Sequence, residues 1–225
     1  MTDVLATVIE SLPYLLSGVG VTLALVLASL ALGFAMGVPL SLVQVYGRRT
    51  GRFLVSVYVW FFRGLPNLVL LFLFFFGIFP AMGLNLSPFV IAVIVLGLRS
   101  GAYQSQIFRG AIQSLGEGQM IAARSLGMSR WQAIRHIILP QALRVALPGW
   151  SNEYPILLTD SAVCYAIGVT ELLTRATRIV SITYEPMIIY MACAVIYILL
   201  NYGGMRIFQM LEEKFRIPGF GNGAM

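Results

Sequence analysis

The sequence predicts an all-α membrane protein of about five transmembrane helices, on three observations. First, 59% of its 225 residues are hydrophobic and only 11% are charged, whereas soluble domains carry about 25% charged residues. So little charge cannot cover a water-facing surface. Second, the apolar runs are long and uninterrupted, without the strict alternation of a membrane β-barrel. Third, the polar and basic residues collect in a few short stretches between those runs.

A bilayer core about 30 Å thick needs roughly 20 apolar residues per helix. Stretches at about 13–45, 53–79, 86–113, 136–158 and 186–211 qualify. The first and third exceed the minimum and imply tilt or projection. MTDVLATVIE at the start has Asp3 and Glu10 but no basic residue, unlike a cleavable leader, so the first helix reads as permanent. Cys164 and Cys193 are too few for a disulfide framework. Without internal repeats or low-complexity tracts, 1–225 reads as a single transmembrane domain. Gly33 and Gly37 form a G-x-x-x-G spacing that suits close helix packing.

Basic residues set the orientation. If five helices alternate, Arg48, Arg49, Arg52, Arg109, Arg124, Arg130, Arg135, Arg144, Arg206, Lys214 and Arg216 share one side. The other side holds Asp3, Glu10, Asp160, Glu171 and Glu185 with Arg175 and Arg178. The N-terminus is therefore expected outside and the C-terminus in the cytoplasm.

Residues 120–143, MIAARSLGMSRWQAIRHIILPQAL, spend three arginines and the only histidine in one place. They read as two short amphipathic helices around a break, inside a cytoplasmic loop at about 114–135. Ala122, Ala123 and Leu126 share one face of the first and Arg124 another. Gly127 can end it in the left-handed conformation, and Ser129 can cap the next. In that next helix Trp131, Ile134, Ile137 and Ile138 recur at helical spacing, with Arg130 and Arg135 turned away. Pro140 removes a backbone donor and should kink or interrupt the helix. Two readings fit: an interfacial linker on anionic lipid, with Trp131 in the headgroup belt, or a docking helix for a cytoplasmic partner.

Here the chain resembles the membrane-spanning permease subunits of ATP-binding-cassette importers of the polar amino-acid uptake family. That family's cytoplasmic loop has the form E-A-A, three residues, G, nine residues, I-x-L-P. Ala122, Ala123, Gly127, Ile137, Leu139 and Pro140 stand at those spacings. FFRGLPNLV (61–69), GAIQSL (110–115), IGVTELL (167–173) and RIPGFG (216–221) are also similar.

The resemblance implies the type I importer permease fold and a coupling helix docked on a separate ATPase subunit. It also implies a second permease chain, identical or homologous, an extracytoplasmic substrate-binding protein, and a bacterial or archaeal plasma membrane. ATP and Mg²⁺ would be bound by the ATPase chain, with no cofactor in this one. Coupling would fall to Ile121, Ala122, Ala123, Arg124, Leu126, Gly127, Ser129 and Arg130. Ile121 occupies the position of the motif's glutamate, so either this docking surface is less polar or a different permease chain supplies the standard loop.

A nucleotide-binding loop of the G-x-x-x-x-G-K-[ST] type needs a lysine followed by Ser or Thr. The single lysine, Lys214, precedes Phe215. No metal-ligand spacing and no catalytic constellation occurs either, and nothing points to nucleic acid. The chain reads as a transport subunit rather than an enzyme.

Charged groups inside a membrane are costly and mark candidate sites. Arg63 precedes Gly64 and Pro66, which should break the second helix. Arg99, Ser100, Tyr103, Gln104 and Gln106 are unusually polar for a spanning helix, and Ser100, Tyr103 and Gln104 share a face. Asn152, Glu153 and Asp160 follow in the fourth helix, which Pro155 interrupts. Related permeases often carry a lysine where Thr159 stands, which leaves Asp160 without its neighbouring cation, and a glutamate where Gln106 stands. Arg99, Ser100, Tyr103, Gln104, Gln106, Asn152, Glu153 and Asp160 are the expected substrate site for a polar amino acid. Interhelical hydrogen bonding is the plainer use of the same residues. An external segment is expected at about 159–185, where Glu171, Arg175 and Arg178 form i,i+4-type pairs on an amphipathic helix.

Overall fold

The computed structural model describes residues 2–215, with side chains from residue 9 onward; RIPGFG (216–221) lies outside the described residues. Every described element is helical. We label them α1 (Thr2–Tyr46), α2 (Arg49–Gly64), α3 (Asn67–Ala81), α4 (Pro88–Ser114) and α5 (Gly118–Ser125). There follow α6 (130–151), α7 (Glu153–Ile167), α8 (Leu172–Thr183) and α9 (Pro186–Phe215).

The most extensively packed pair is α1 and α4, and small residues make it so. A Cβ at Gly97 would meet the Leu32 side chain, and one at Gly37 would sit 2.9 Å from Gln104 Cβ. The G-x-x-x-G spacing thus serves packing within the chain. Ser29 donates to the Val93 carbonyl at 3.4 Å, Gln104 to the Leu30 carbonyl at 3.2 Å, and Gln106 to Gln44 Oε1 at 3.1 Å. Numbers rise together along both helices, so α1 and α4 run parallel.

Parallel neighbours oblige the segment between them to bring the chain back. It does so in two pieces: α2 climbs beside α4, with Tyr58 donating to the Leu98 carbonyl at 2.6 Å, and α3 leaves it at 108°. The expected break at Gly64 and Pro66 is present and far sharper than a kink. A π-helical turn, Leu73–Ile78, lies within α3.

The fourth traverse, expected at 136–158, is longer and broken. The described run begins at 130 and stays helical through Pro140, because a π-helical turn, Ile134–Ile138, absorbs the proline. The expected interruption at Pro140 is therefore a bulge. α7 ends in a 3₁₀ turn, Cys164–Ile167, closed by Gly168 at φ 87°, and α8 departs at 51°. The stretch 159–185, expected as an external segment, is packed along the bundle: Ser161, Cys164, Glu171, Leu172 and Ala176 are fully buried. α8 lies antiparallel along α1, where Thr22 Oγ1 accepts from Leu172 N at 3.1 Å and Arg178 reaches the Tyr14 hydroxyl at 3.4 Å.

α9 then returns the chain, placing Tyr197 against Glu171 at 2.8 Å, Leu200 against the Tyr154 hydroxyl at 2.9 Å and the Phe208 ring 5.5 Å from that of Trp150. Three helices are long and apolar enough to cross a membrane, and five traverses result if each bent pair counts as one.

Candidate functional site

Four charged residues meet near the centre of the bundle. Arg99 of α4 pairs with Asp160 of α7, both side chains 18% exposed. Among the described residues this is the one ion pair. The cation missing beside Asp160 in sequence is thus supplied from another helix. The Arg99 guanidinium also lies 5.2 Å from the Tyr103 ring centroid. The exposed Arg63, at the end of α2, lies 4.7 Å from the same ring. Tyr103 therefore has two cations over its ring.

Below it runs a chain of neutral donors. Trp150 Nε1 donates to Gln104 Oε1 at 2.8 Å. Gln104 Nε2 donates to Ser100 Oγ at 2.9 Å. Ser100 Oγ donates to Glu153 Oε2 at 2.7 Å. Glu153 is 3% exposed, has no cation within ion-pair distance, and takes its one direct hydrogen bond from the Ser100 hydroxyl. Ser100 and Gln104, one turn apart, share the face the spacing implied: Ser100 meets α7 through Glu153, and Gln104 meets α1 at Leu30 and α6 at Trp150.

Two expected members lie elsewhere. Gln106 bonds Gln44, Ser105 and Arg109 nearer the end of α4. Asn152 is exposed, its Nδ2 turned back to the Pro148 carbonyl at 3.4 Å. One residue of rotation, about 100° on a helix, separates it from Glu153.

The sequence reading assigned no role to Trp150 or Asn67, and a different one to Glu171. Trp150 sits one turn before Glu153 on the same face, a periodicity that was there to read. Asn67, at the start of α3, is 9% exposed, and neither of its side-chain polar atoms has a partner; a lone Asn after a Pro carries no such signal. Glu171 is buried with its carboxylate accepting from Leu173 N, Thr174 N and Tyr197. It caps α8 and makes no pair with Arg175, which bonds Ser17 and the Thr170 carbonyl instead.

The second cluster of expected residues is at the opposite end from α8, where α1 and α4 finish. Met128 N bonds the Ala123 carbonyl at 3.2 Å and Gly127 N the Arg124 carbonyl at 3.0 Å, with Gly127 at φ 80°. This is a Schellman stop, which requires the left-handed residue glycine supplies. Ser129 caps α6 through a reciprocal box with Gln132. The stop and start hold α5 and α6 at a fixed angle.

The apolar face of α5 divides. Ala123 is 1% exposed and faces the bundle, whereas Ile121 is 62% and Leu126 81% exposed, with Ala122 and Arg124 also exposed. Of the apolar stripe expected on α6, Ile134 and Ile138 are buried, whereas Trp131 is exposed. What results is a small, rigid, partly apolar projection surrounded by Arg124, Arg130 and Arg135, all exposed.

A multi-helix membrane bundle with a buried polar centre and a capped helical projection at one end is the architecture of a transporter's membrane subunit. The comparisons give its family. Residues 29–217 match the binding-protein-dependent transport system inner membrane component family, and the chain belongs to it. The chain is 38% identical over 207 residues, 92% of its length and 91% of the relative's, to the probable amino-acid ABC transporter permease protein YckA of Bacillus subtilis. It is 35% identical to the nopaline transport system permease protein NocM of Agrobacterium fabrum, over 91% of this chain and 89% of that one. It is also 35% identical to the histidine/lysine/arginine/ornithine transport system permease protein HisM of Salmonella typhimurium, over 90% of each.

Among solved structures, an amino acid ABC transporter with histidines superposes with a TM-score of 0.84 at 32% identity, covering 93% of this chain and 97% of that one. The inward-facing MetNI methionine ABC transporter shares the fold, with a TM-score of 0.77 at 22% identity over 90% and 96%. The chain is thus a multi-pass membrane subunit of the permease class, a non-catalytic component.

Proposed function

We propose that this chain is a membrane-spanning subunit of an ATP-driven importer for polar amino acids. Its N-terminus lies outside and its C-terminus in the cytoplasm of a bacterial or archaeal plasma membrane. It works beside a second permease chain and receives cargo from an extracytoplasmic binding protein. A separate ATPase subunit binds ATP and Mg²⁺ and drives the α5–α6 projection. The observation that carries the reading is that projection: two helices locked by a Schellman stop and a capping box, with Ile121, Ala122 and Leu126 left exposed at its tip. A rigid lever transmits the movement of a partner; a lipid-lying linker has no need of one. The basic surroundings support the cytoplasmic placement.

The polar centre is the cargo site in this reading. Arg99 and Asp160 neutralise each other. Glu153 offers an anion for an ammonium group, and Arg63, exposed at the end of α2, suits a carboxylate. A net-neutral site of this kind fits a zwitterion. An opine is the second cargo, favoured by the nopaline permease among the relatives.

Affinity purification of the tagged chain from its own membranes, with mass spectrometry of what is retained, tests the assignment. An ATP-binding-cassette ATPase is expected in the retained set. Its absence, even after cross-linking at Ser129, would reject the importer and favour an ATP-independent transporter. Uptake into proteoliposomes, with amino acids against opines as competitors, then separates the two cargoes.

A further inference from the structure

Where α1 ends against the start of α6, the chain leaves an open groove of about 350 Å³. Leu42, Val43 and Tyr46 form one wall, Trp131 and Ile134 the other, and Arg130 stands at the rim. The first wall is the last two turns of Ile9–Tyr46, a helix long and apolar enough to cross a membrane. The groove thus lies against the last turns of an apolar helix, directly before the basic pair Arg48 and Arg49, and basic residues flank a span on its cytoplasmic side. Its rim is cationic: the Arg130 guanidinium lies 5.3 Å from the Tyr46 ring centroid, and Arg48 and Arg49 follow directly, both exposed. None of the three makes an ion pair with a described residue.

An occupant has to join an apolar tail to an anionic head at the depth of the interface. We propose that this groove is a binding site for an anionic phospholipid, with an acyl chain between Leu42 and Ile134 and the phosphate on Arg130 and Arg48 or Arg49. Guanidinium groups pair with phosphate oxygens in a bidentate fork, and Trp131, 62% exposed, takes the interfacial position that indole rings favour. The ATPase is assigned the α5–α6 projection, whose exposed tip is Ile121, Ala122 and Leu126; Arg130 borders both surfaces, but the other wall of the groove is α1, a membrane span. The proposal stands on the membrane crossing alone and does not depend on the cargo.

The test is native mass spectrometry of the assembled complex with phosphatidylglycerol and phosphatidylcholine added in equal amounts. One phosphatidylglycerol per permease chain should be retained over phosphatidylcholine. Arg130→Gln should weaken its retention about fivefold, the contribution of one arginine near an anionic surface. Val43→Trp, which fills the groove, should abolish it. Equal retention of the two lipids, or no effect of Arg130→Gln, would overturn the site. A preference that survives Val43→Trp would also overturn it, by placing the lipid elsewhere. Retention seen only once the ATPase has been stripped away would make the ATPase the occupant. If Val43→Trp fails to fold, Arg130→Gln, a surface change, still decides.

Discussion

Ser100 donates its hydroxyl to Glu153 at 2.7 Å, and that bond is the direct polar tie of a carboxylate that is 3% exposed. A buried carboxylate with one hydroxyl and no paired cation keeps unused acceptor capacity. Glu153→Gln keeps an acceptor for Ser100 but removes the charge. Loss of one charge-assisted contact, about 1.5–3 kcal/mol, should raise the KM for amino-acid uptake by roughly tenfold to a hundredfold. The melting temperature should hold. An unchanged KM would remove Glu153 from the cargo site and leave it a helix-packing group.

The Arg99–Asp160 pair should behave differently. Asp160→Asn leaves a guanidinium that is largely shielded from water without its counter-charge, at a cost approaching the roughly 3–5 kcal/mol typical of broken buried pairs. Arg99→Met with Asp160→Leu removes both charges and should recover most of that stability. Thermal unfolding of Arg99→Met, Asp160→Leu and the double variant gives the coupling. If the double variant is no more stable than Asp160→Asn, the pair is not what holds α4 to α7. Uptake by the double variant is expected to stay low, since Tyr103 loses one of its two cations.

Local chemistry made the coupling region readable. Gly127 and Ser129 take the stop and start positions that their own conformational and capping preferences demand, and such signals need no knowledge of the rest of the fold. The polar face of Ser100 and Gln104 followed from helical periodicity for the same reason. What stayed hidden depends on which helices meet. Asp160 finds its cation 61 residues away. Glu171 looked like an exposed partner for Arg175 until the break after Gly168 buried it as a cap. Asn152 and Glu153, neighbours in sequence, part company because packing of α7 fixes which one faces α4. Trp131 fits an apolar stripe by spacing, yet the groove beside Tyr46 leaves it uncovered.

Gly33 carries the close approach of α1 to the relay. A Cβ there would meet the Gln104 amide and lie 3.0 Å from the Ser100 side chain. Gly33→Ala should cost about 1–3 kcal/mol as overpacking and push Gln104 off Trp150, shifting the indole emission. Gly20→Ala is the control, since nothing lies within 4 Å of its added Cβ; it should be neutral or stabilising by up to about 1 kcal/mol. Equal effects of the two changes would count against close packing at Gly33.

Asn67 has both amide atoms buried and unpartnered. Each such atom costs about 1–3 kcal/mol relative to a satisfied one. Asn67→Leu is close in size and asks for no partner, so it should raise the melting temperature of the purified chain. Transport need not follow stability: if uptake falls while the protein becomes more stable, the amide is used in another state of the cycle. A lower melting temperature would show that the amide is satisfied after all.

Ile121 projects from α5, 62% exposed, at the position where the family motif has a glutamate. An isoleucine that is unpartnered in this chain, flanked by exposed Ala122 and Leu126, fits a partner slot lined with apolar side chains. Seating a carboxylate in such a slot without a new donor costs more than the about 1–3 kcal/mol of an unpaired neutral polar group. Ile121→Glu should therefore lower cargo-stimulated ATP hydrolysis by the assembled complex about tenfold or more, with basal hydrolysis by the ATPase subunit unaffected. Ile121→Leu should be tolerated, because it changes shape but not polarity. The measurement is ATPase rate with and without cargo in proteoliposomes. Full stimulation in the Ile121→Glu complex would mean that the slot is polar and already holds a donor. In that case the departure from the motif has no counterpart in the partner, and a second permease chain bearing the glutamate becomes the better account of coupling.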